Sequence, residues 1–144
     1  MTARRFLGGL RRSDHASTTV EFAILAPVIF SLMLGVLQLG LHMHNYNAVR
    51  SVATDTARWV IVEYQKGNSL TNEQIESKAT AYAVNAPYLL EEDNLTTTLS
   101  RPNTDVTGTI KMLVQVSYVP RNLLNFIGVN SPTLTVTRPI YVDD

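Results

Sequence analysis

Apolar positions change their spacing twice along this chain, and each change marks an element. From Phe22 to Val49 there is no Asp, Glu, Lys or Arg, and within Phe22 to Leu41 the only strongly polar side chain is Gln38. About 20 helical residues at 1.5 Å each cover the ~30 Å hydrocarbon core of a bilayer. One membrane-spanning helix is therefore expected over residues 22–41. Beyond it, Tyr46, Val49, Ala53, Ala57, Val60 and Tyr64 recur at helical spacing, while Asn47, Arg50, Ser51, Thr54, Asp55 and Arg58 fill most of the other faces. No glycine or proline stands between Leu41 and Gln65. Span and amphipathic stretch thus read as one helix over residues 17–66, about 75 Å long. Gly67 with Asn68 supplies the stop, since glycine readily takes the left-handed conformation that ends helices.

Thr71 to Gln74 then forms a capping box, with Ile75, Ala79, Tyr82, Ala83 and Ala86 on one face of a second, shorter helix that Pro87 closes. After it the period becomes two. Leu95, Thr97 and Leu99 make a first strand; Ile110, Met112, Val114, Val116 and Tyr118 a second; Leu134, Val136, Ile140 and Val142 a third. Connections near Arg101–Asp105 and Pro120–Pro132 carry the Pro, Gly and Asn of loops. The expected fold class is α+β: a long N-terminal helix, one short helix and a three-stranded antiparallel sheet packed on the long helix. Residues 67–144 would form a small domain docked on the outer half of that helix, which supplies much of its core.

Charge orients the span. Twelve basic residues balance twelve acidic ones, which argues against a nucleic-acid partner. Within residues 1–16, however, Arg4, Arg5, Arg11 and Arg12 face only Asp14, and the next basic residue after the span is Arg50. The positive-inside rule puts the N-terminus in the cytoplasm and the domain outside. A cleaved secretory signal competes with this reading, but its apolar core runs roughly 7–15 residues and ends at a small-x-small site. Here the core is longer, and Leu39-Gly40-Leu41-His42-Met43 offers no such site.

Glu21 is the unusual residue. A carboxylate within the bilayer costs about 2.5–3.5 kcal/mol at the centre and less near the edge, so it tends to find a partner. Its setting resembles the prepilin N-terminus: a basic leader, a small residue at the cut, four residues, then a glutamate. With Glu21 as the fifth mature residue, the scissile bond lies between Ala16 and Ser17. Prepilin peptidases usually cut after glycine, and alanine is the next smallest residue. A cut after Gly9 would make Asp14 fifth, but a polar stretch follows Asp14 and the oily run begins only after Glu21. More closely, Ser17 to Trp59 is similar to the TadE-like pseudopilins of tight-adherence (type IVb, Flp) pilus systems. Those show a VEFA(L/I)-x-x-P core, a Leu-rich span, a Gly-rich helix end and an Ala/Arg stretch outside the membrane. Val20 to Ala23, Pro27, Leu32 to Gly40 and Ala48 to Arg58 correspond. Residues 113–142 resemble the family's end more loosely.

The resemblance implies a minor pilin or pseudopilin, cut by prepilin peptidase at the cytoplasmic face of the bacterial inner membrane. Its partners would be other pilin or pseudopilin subunits, the inner-membrane assembly machinery and the lipid bilayer. It implies that Glu21 meets the N-terminal amine of a neighbouring subunit as the helices pack. Phe22, Pro27, Gly35 and Gly40 are the candidate helix-packing positions, because an interior proline frees the carbonyl of Ala23 and glycines let helices approach closely. An uncleaved single-pass anchor presenting a small binding module stays open beside this reading.

Little else in the chain carries chemistry. There are no cysteines, which excludes disulfides, thiolate metal sites and cysteine nucleophiles. His42 and His44, two apart, point about 200° from each other on a helix and cannot share an ion. They read as histidines at the outer membrane edge, and Trp59 and Tyr46 as core or interface anchors. Glu91-Glu92-Asp93 reads as an exposed acidic loop, and Asp143-Asp144 as a solvated tail. No nucleotide-binding loop, serine elbow or HExxH occurs. Neither catalysis, cofactor nor metal is expected.

Overall fold

The computed structural model describes residues 14–104 and 106–143, and of Asp14 to Ser17 and Ile127 the backbone only. Most of the basic leader expected over residues 1–16, and Asp144, lie outside these. The first helix, α1, is unbroken from Asp14 to Gln65, 52 residues with Pro27 inside, or about 78 Å at 1.5 Å per residue. Its C-terminus closes as a Schellman motif. Asn68 N–H donates to the Glu63 carbonyl at 3.0 Å and Gly67 N–H to that of Tyr64 at 2.9 Å. Gly67 takes a φ of 81°, which a side chain would resist.

The second helix, α2, covers Asn72–Val84. The capping box is present: Gln74 N–H donates to Thr71 Oγ1 at 3.3 Å, and Thr71 N–H to Gln74 Oε1 at 2.9 Å. Ile75, Ala79 and Ala83 are buried as their spacing requires. Ala86, expected on the same face, lies beyond the helix end and is exposed. The backbone leaves helical dihedrals already at Asn85, and Leu90 N–H returns to the Ala83 carbonyl at 2.8 Å.

Three strands follow, β1 (Leu95–Ser100), β2 (Thr109–Tyr118) and β3 (Leu134–Asp143). They form an antiparallel sheet in that order, with Leu95 opposite Tyr118 and Thr109 opposite Asp143. Asp143 therefore ends a strand rather than forming a tail. Pro139 lacks a donor but sits on the edge strand β3, where proline is tolerated. The α+β class and its elements are those the sequence led us to expect.

The sheet lays one face on the outer half of α1 through β2 and β3, while α2 packs beside α1 and against β1. Val49, Val52, Ala53 and Val60 of α1 meet Ile75, Met112, Val114, Val116 and Ile140, all 2% exposed or less. The expected stripe is buried at Val49, Ala53 and Val60, but the buried face is wider than its spacing indicates. Tyr46 stays exposed, while Ala48, Val52 and Thr56 are buried. Thr56 satisfies its hidden hydroxyl by donating to the Val52 carbonyl at 2.8 Å, so one polar residue enters the core at no cost in unpaired groups. Polar bonds join α2 to β1. Glu76 Oε1 accepts from Leu99 N–H at 2.7 Å, its carbonyl accepts from Thr97 Oγ1 at 3.2 Å, and the Thr80 and Thr97 hydroxyls lie 2.9 Å apart. The outer edge of β1 is thus covered, which blunts its tendency to pair with other strands.

Candidate membrane and assembly segment

The inner half of α1 leaves its apolar side chains uncovered. Phe22, Ile24, Leu32, Val36 and Leu39 are each more than 60% exposed, and no residue of the most apolar stretch is buried. A contiguous apolar surface of this length marks a membrane or protein contact, because water alone would not tolerate it. Glu21 is exposed at its N-terminal rim. The next charge along α1 is Arg50.

The candidate packing residues do not converge on one point. Phe22 and Gly40 stand about 27 Å apart along the axis at 1.5 Å per residue, and the whole set forms a rod surface instead of a cleft. Pro27 lies within the continuous helix, and one turn on, Ser31 Oγ donates back to the Pro27 carbonyl at 2.7 Å. A methyl group built on Gly35 or Gly40 would meet nothing within 4 Å. Packing inside the chain therefore does not require either glycine. Gly35 lines a groove beneath a loop of the domain, whereas Gly40 faces open surface.

That loop joins β2 to β3 over residues 119–133, and it descends along the span. Gln38, the polar residue in the oily run, holds it by two bonds. Its Nε2 donates to the Arg121 carbonyl at 3.1 Å, and its Oε1 accepts from Leu123 N–H at 2.9 Å. Ser31, Leu34, Gly35, Gln38, His42 and Asn45 are accordingly half-buried, one stripe continuing the buried face of Ala48 to Val60 down the helix. The loop also closes on itself. Asn122 Nδ2 donates to the Val129 carbonyl, Leu124 N–H to Asn122 Oδ1 at 2.9 Å, and Gly128 N–H to Asn125 at 3.0 Å, with Gly128 at a φ of 77°. At its upper end Val119 N–H donates to the Asn94 carbonyl at 3.0 Å, and Arg121 Nε lies 2.6 Å from Glu91 Oε1. The guanidinium bond holds the Glu91 carboxyl below the usual carboxylate range and raises Arg121. Glu91 is therefore part of a clasp rather than of a free acidic loop.

Residues 16–58 match the family model described as TadE-like protein. Over these residues the chain resembles TadE-like proteins. The match begins at Ala16 and runs through the span into the first part of the domain-facing stretch. Residues 113–142, where the sequence shows a looser likeness, lie outside it. No curated protein and no solved structure matches the chain. The TadE-like match associates it with Tad pilus systems, whose TadE-like members are structural, and the long apolar helix is compatible with membrane anchoring.

Among the described residues no group of three or more His, Asp or Glu side chains is placed to hold a metal ion. Trp59 is half-buried, with the Lys78 ammonium 5.7 Å from its ring centre and 4.8 Å from that of Tyr82. Sequence reasoning noticed Gln38 but gave it no partner. The available signal was the charge-free loop sequence itself, which runs from Asn122 to Thr137.

Proposed function

We propose that the chain is a minor pilin or pseudopilin, an assembly component of a Tad (type IVb, Flp) pilus. Residues 22–41 would hold it in the inner membrane, the N-terminus in the cytoplasm and residues 67–144 outside. A prepilin peptidase would cut between Ala16 and Ser17. Hydrolysis of that bond leaves an ammonium on Ser17, four residues before Glu21 and on the same helix face. A cation at a helix N-terminus is disfavoured, and a carboxylate in the first turn is favoured by the macrodipole. Glu21 answers the amine of a neighbouring subunit and sets the axial register as the helix joins a bundle. Phe22, Pro27, Gly35 and Gly40 lie on the surface through which it packs. The observation that carries this reading is a glutamate opening an unburied apolar helix inside a TadE-like match that starts at Ala16.

The test is the N-terminus of mature protein from cells carrying the pilus system. A mass matching a Ser17 start is expected, and Glu21→Ala should insert normally yet fail in pilus assembly. Mature protein that keeps Arg4 and Arg5 would overturn the proposal. One observation favours a second reading: α1 is helical across the Ala16–Ser17 bond. In that reading the leader stays and the chain is an uncleaved anchor for a binding module. Glu21→Ala would then leave partner binding unchanged.

A further inference from the structure

We infer that the β2–β3 loop is a second membrane contact: a wedge lying in the outer leaflet beside the span, with Phe126 and Val129 among the acyl chains. The inference rests on the reading that residues 22–41 cross the bilayer. With Glu21 at the inner rim, about 20 helical residues put the outer rim near Leu41. Gln38 then lies roughly 4.5 Å below that rim, three residues at 1.5 Å each. The Arg121 carbonyl and Leu123 N–H bonded to it share its depth. Loop and span also border one groove of about 590 Å³, which reaches from Ser31 to His42 on the helix side and from Asn122 to Pro132 on the loop side. Those helix residues span about 16 Å of axis.

The loop is built for that depth. From Asn122 to Thr137 it carries no charged side chain. The charges nearest its upper end, Arg121 and Glu91, neutralise each other where the headgroups begin. Irregular backbone at bilayer depth must find its partners within the protein, since hydrocarbon offers none. Gln38, Asn122 and the turn at Gly128 supply several of them. Phe126 is 67% exposed and Val129 47%. Leu124 and Val129 line one groove with Leu32, Val36 and Leu39 and so extend the surface that lipid already solvates. That continuity selects acyl chains as the occupant of the groove while the chain stands in the bilayer, before a neighbouring helix packs at Gly35. The wedge gives the domain a fixed depth and a fixed rotation against the bilayer, which a single helix cannot do.

Because the chain has no cysteine, single nitroxide labels can be placed without background. The full chain is reconstituted in phosphatidylethanolamine–phosphatidylglycerol vesicles with labels at F126C or V129C. Val106→Cys serves as the aqueous reference, on the β1–β2 loop that Arg101 ties to the Leu70 carbonyl near the far end of α1. Phe30→Cys is the reference within the span. Collision rates with oxygen and with a water-soluble nickel chelate are then compared. At positions 126 and 129 nickel collisions should fall about tenfold below those at 106, the ratio given by ~1.4 kcal/mol of exclusion, while oxygen collisions stay high. Nickel access at 126 and 129 equal to that at 106, with position 30 still in lipid, would overturn the wedge and leave the anchor standing. Shielding from both reagents would overturn it by showing a protein occupant. Nickel access at position 30 would remove the anchor and the wedge together.

Discussion

Gln38→Leu tests how the domain is fastened to the span. The substitution suits an apolar helix but deletes both the donor to the Arg121 carbonyl and the acceptor for Leu123 N–H. Bonds of this kind within membranes contribute ~0.6 kcal/mol on average and up to ~1.7. Two of them put the loss at roughly 1–3 kcal/mol, and no rearrangement within the helix replaces them. The loop opens more often instead of leaving two backbone groups orphaned. Local opening is read by amide exchange, and 1–3 kcal/mol corresponds to about 5- to 150-fold faster exchange of the Leu123 amide. Hydrogen–deuterium exchange of the full chain in detergent or vesicles, followed on peptides covering residues 119–133, measures it. Gln38→Met nearly preserves the shape and should behave like the leucine variant, separating lost bonds from lost packing. Val114, in the middle strand, should keep its protection in both. Unchanged exchange at Leu123 in both variants would refute the reasoning.

Two further outcomes are expected. Glu76→Ala removes the carboxylate that accepts from Leu99 N–H on the edge of β1; hydrogen bonds to charged groups contribute about 1.5–3 kcal/mol, so urea unfolding should register a loss of that order, and Glu76→Gln, which keeps an oxygen there, a smaller one. An E76A midpoint equal to wild type would show that the cap is idle. The Glu91 carboxyl is depressed first by its bond from Arg121, so its clasp is complete above the ordinary carboxylate value and is lost as pH falls through its lowered folded value. Exchange of residues 119–123 should therefore quicken as the solution is acidified through and below that range, and Glu91→Gln should flatten the response; the same acid response in E91Q would assign it to other groups.

Where the sequence is periodic, the fold could be read from it. Alternation at Ile110 to Tyr118 and the capping box at Thr71 and Gln74 are local patterns, and each appears where its spacing puts it. The failures occur where tertiary contact decides. Helical spacing found Val49, Ala53 and Val60 but included Tyr46, which is exposed, and missed Val52 and Thr56, because a buried threonine looks polar until its bond to the Val52 carbonyl is seen. Alternation also passed over Arg138, which stands on the helix-facing side of β3, half-buried near Asp55 and Tyr88. Glu21 and the glycines were legible as types at positions. The loop on Gln38 was not, since it joins residues 83 and 85 positions apart, and no local pattern reports that distance.

The unbroken α1 also sets an angular phase between bilayer and domain. Gln38 and Thr56 are eighteen residues apart, five turns at about 3.6 residues each, so both point in one direction. Adding a single residue between Leu41 and Ala48 would lengthen the rod by only about 1.5 Å yet swing the head by roughly 100°, carrying the loop away from Gln38. Spacing there is fixed by azimuth more than by length. A sequence that lengthened this neck while keeping the fastening would have to do so in steps of three or four residues.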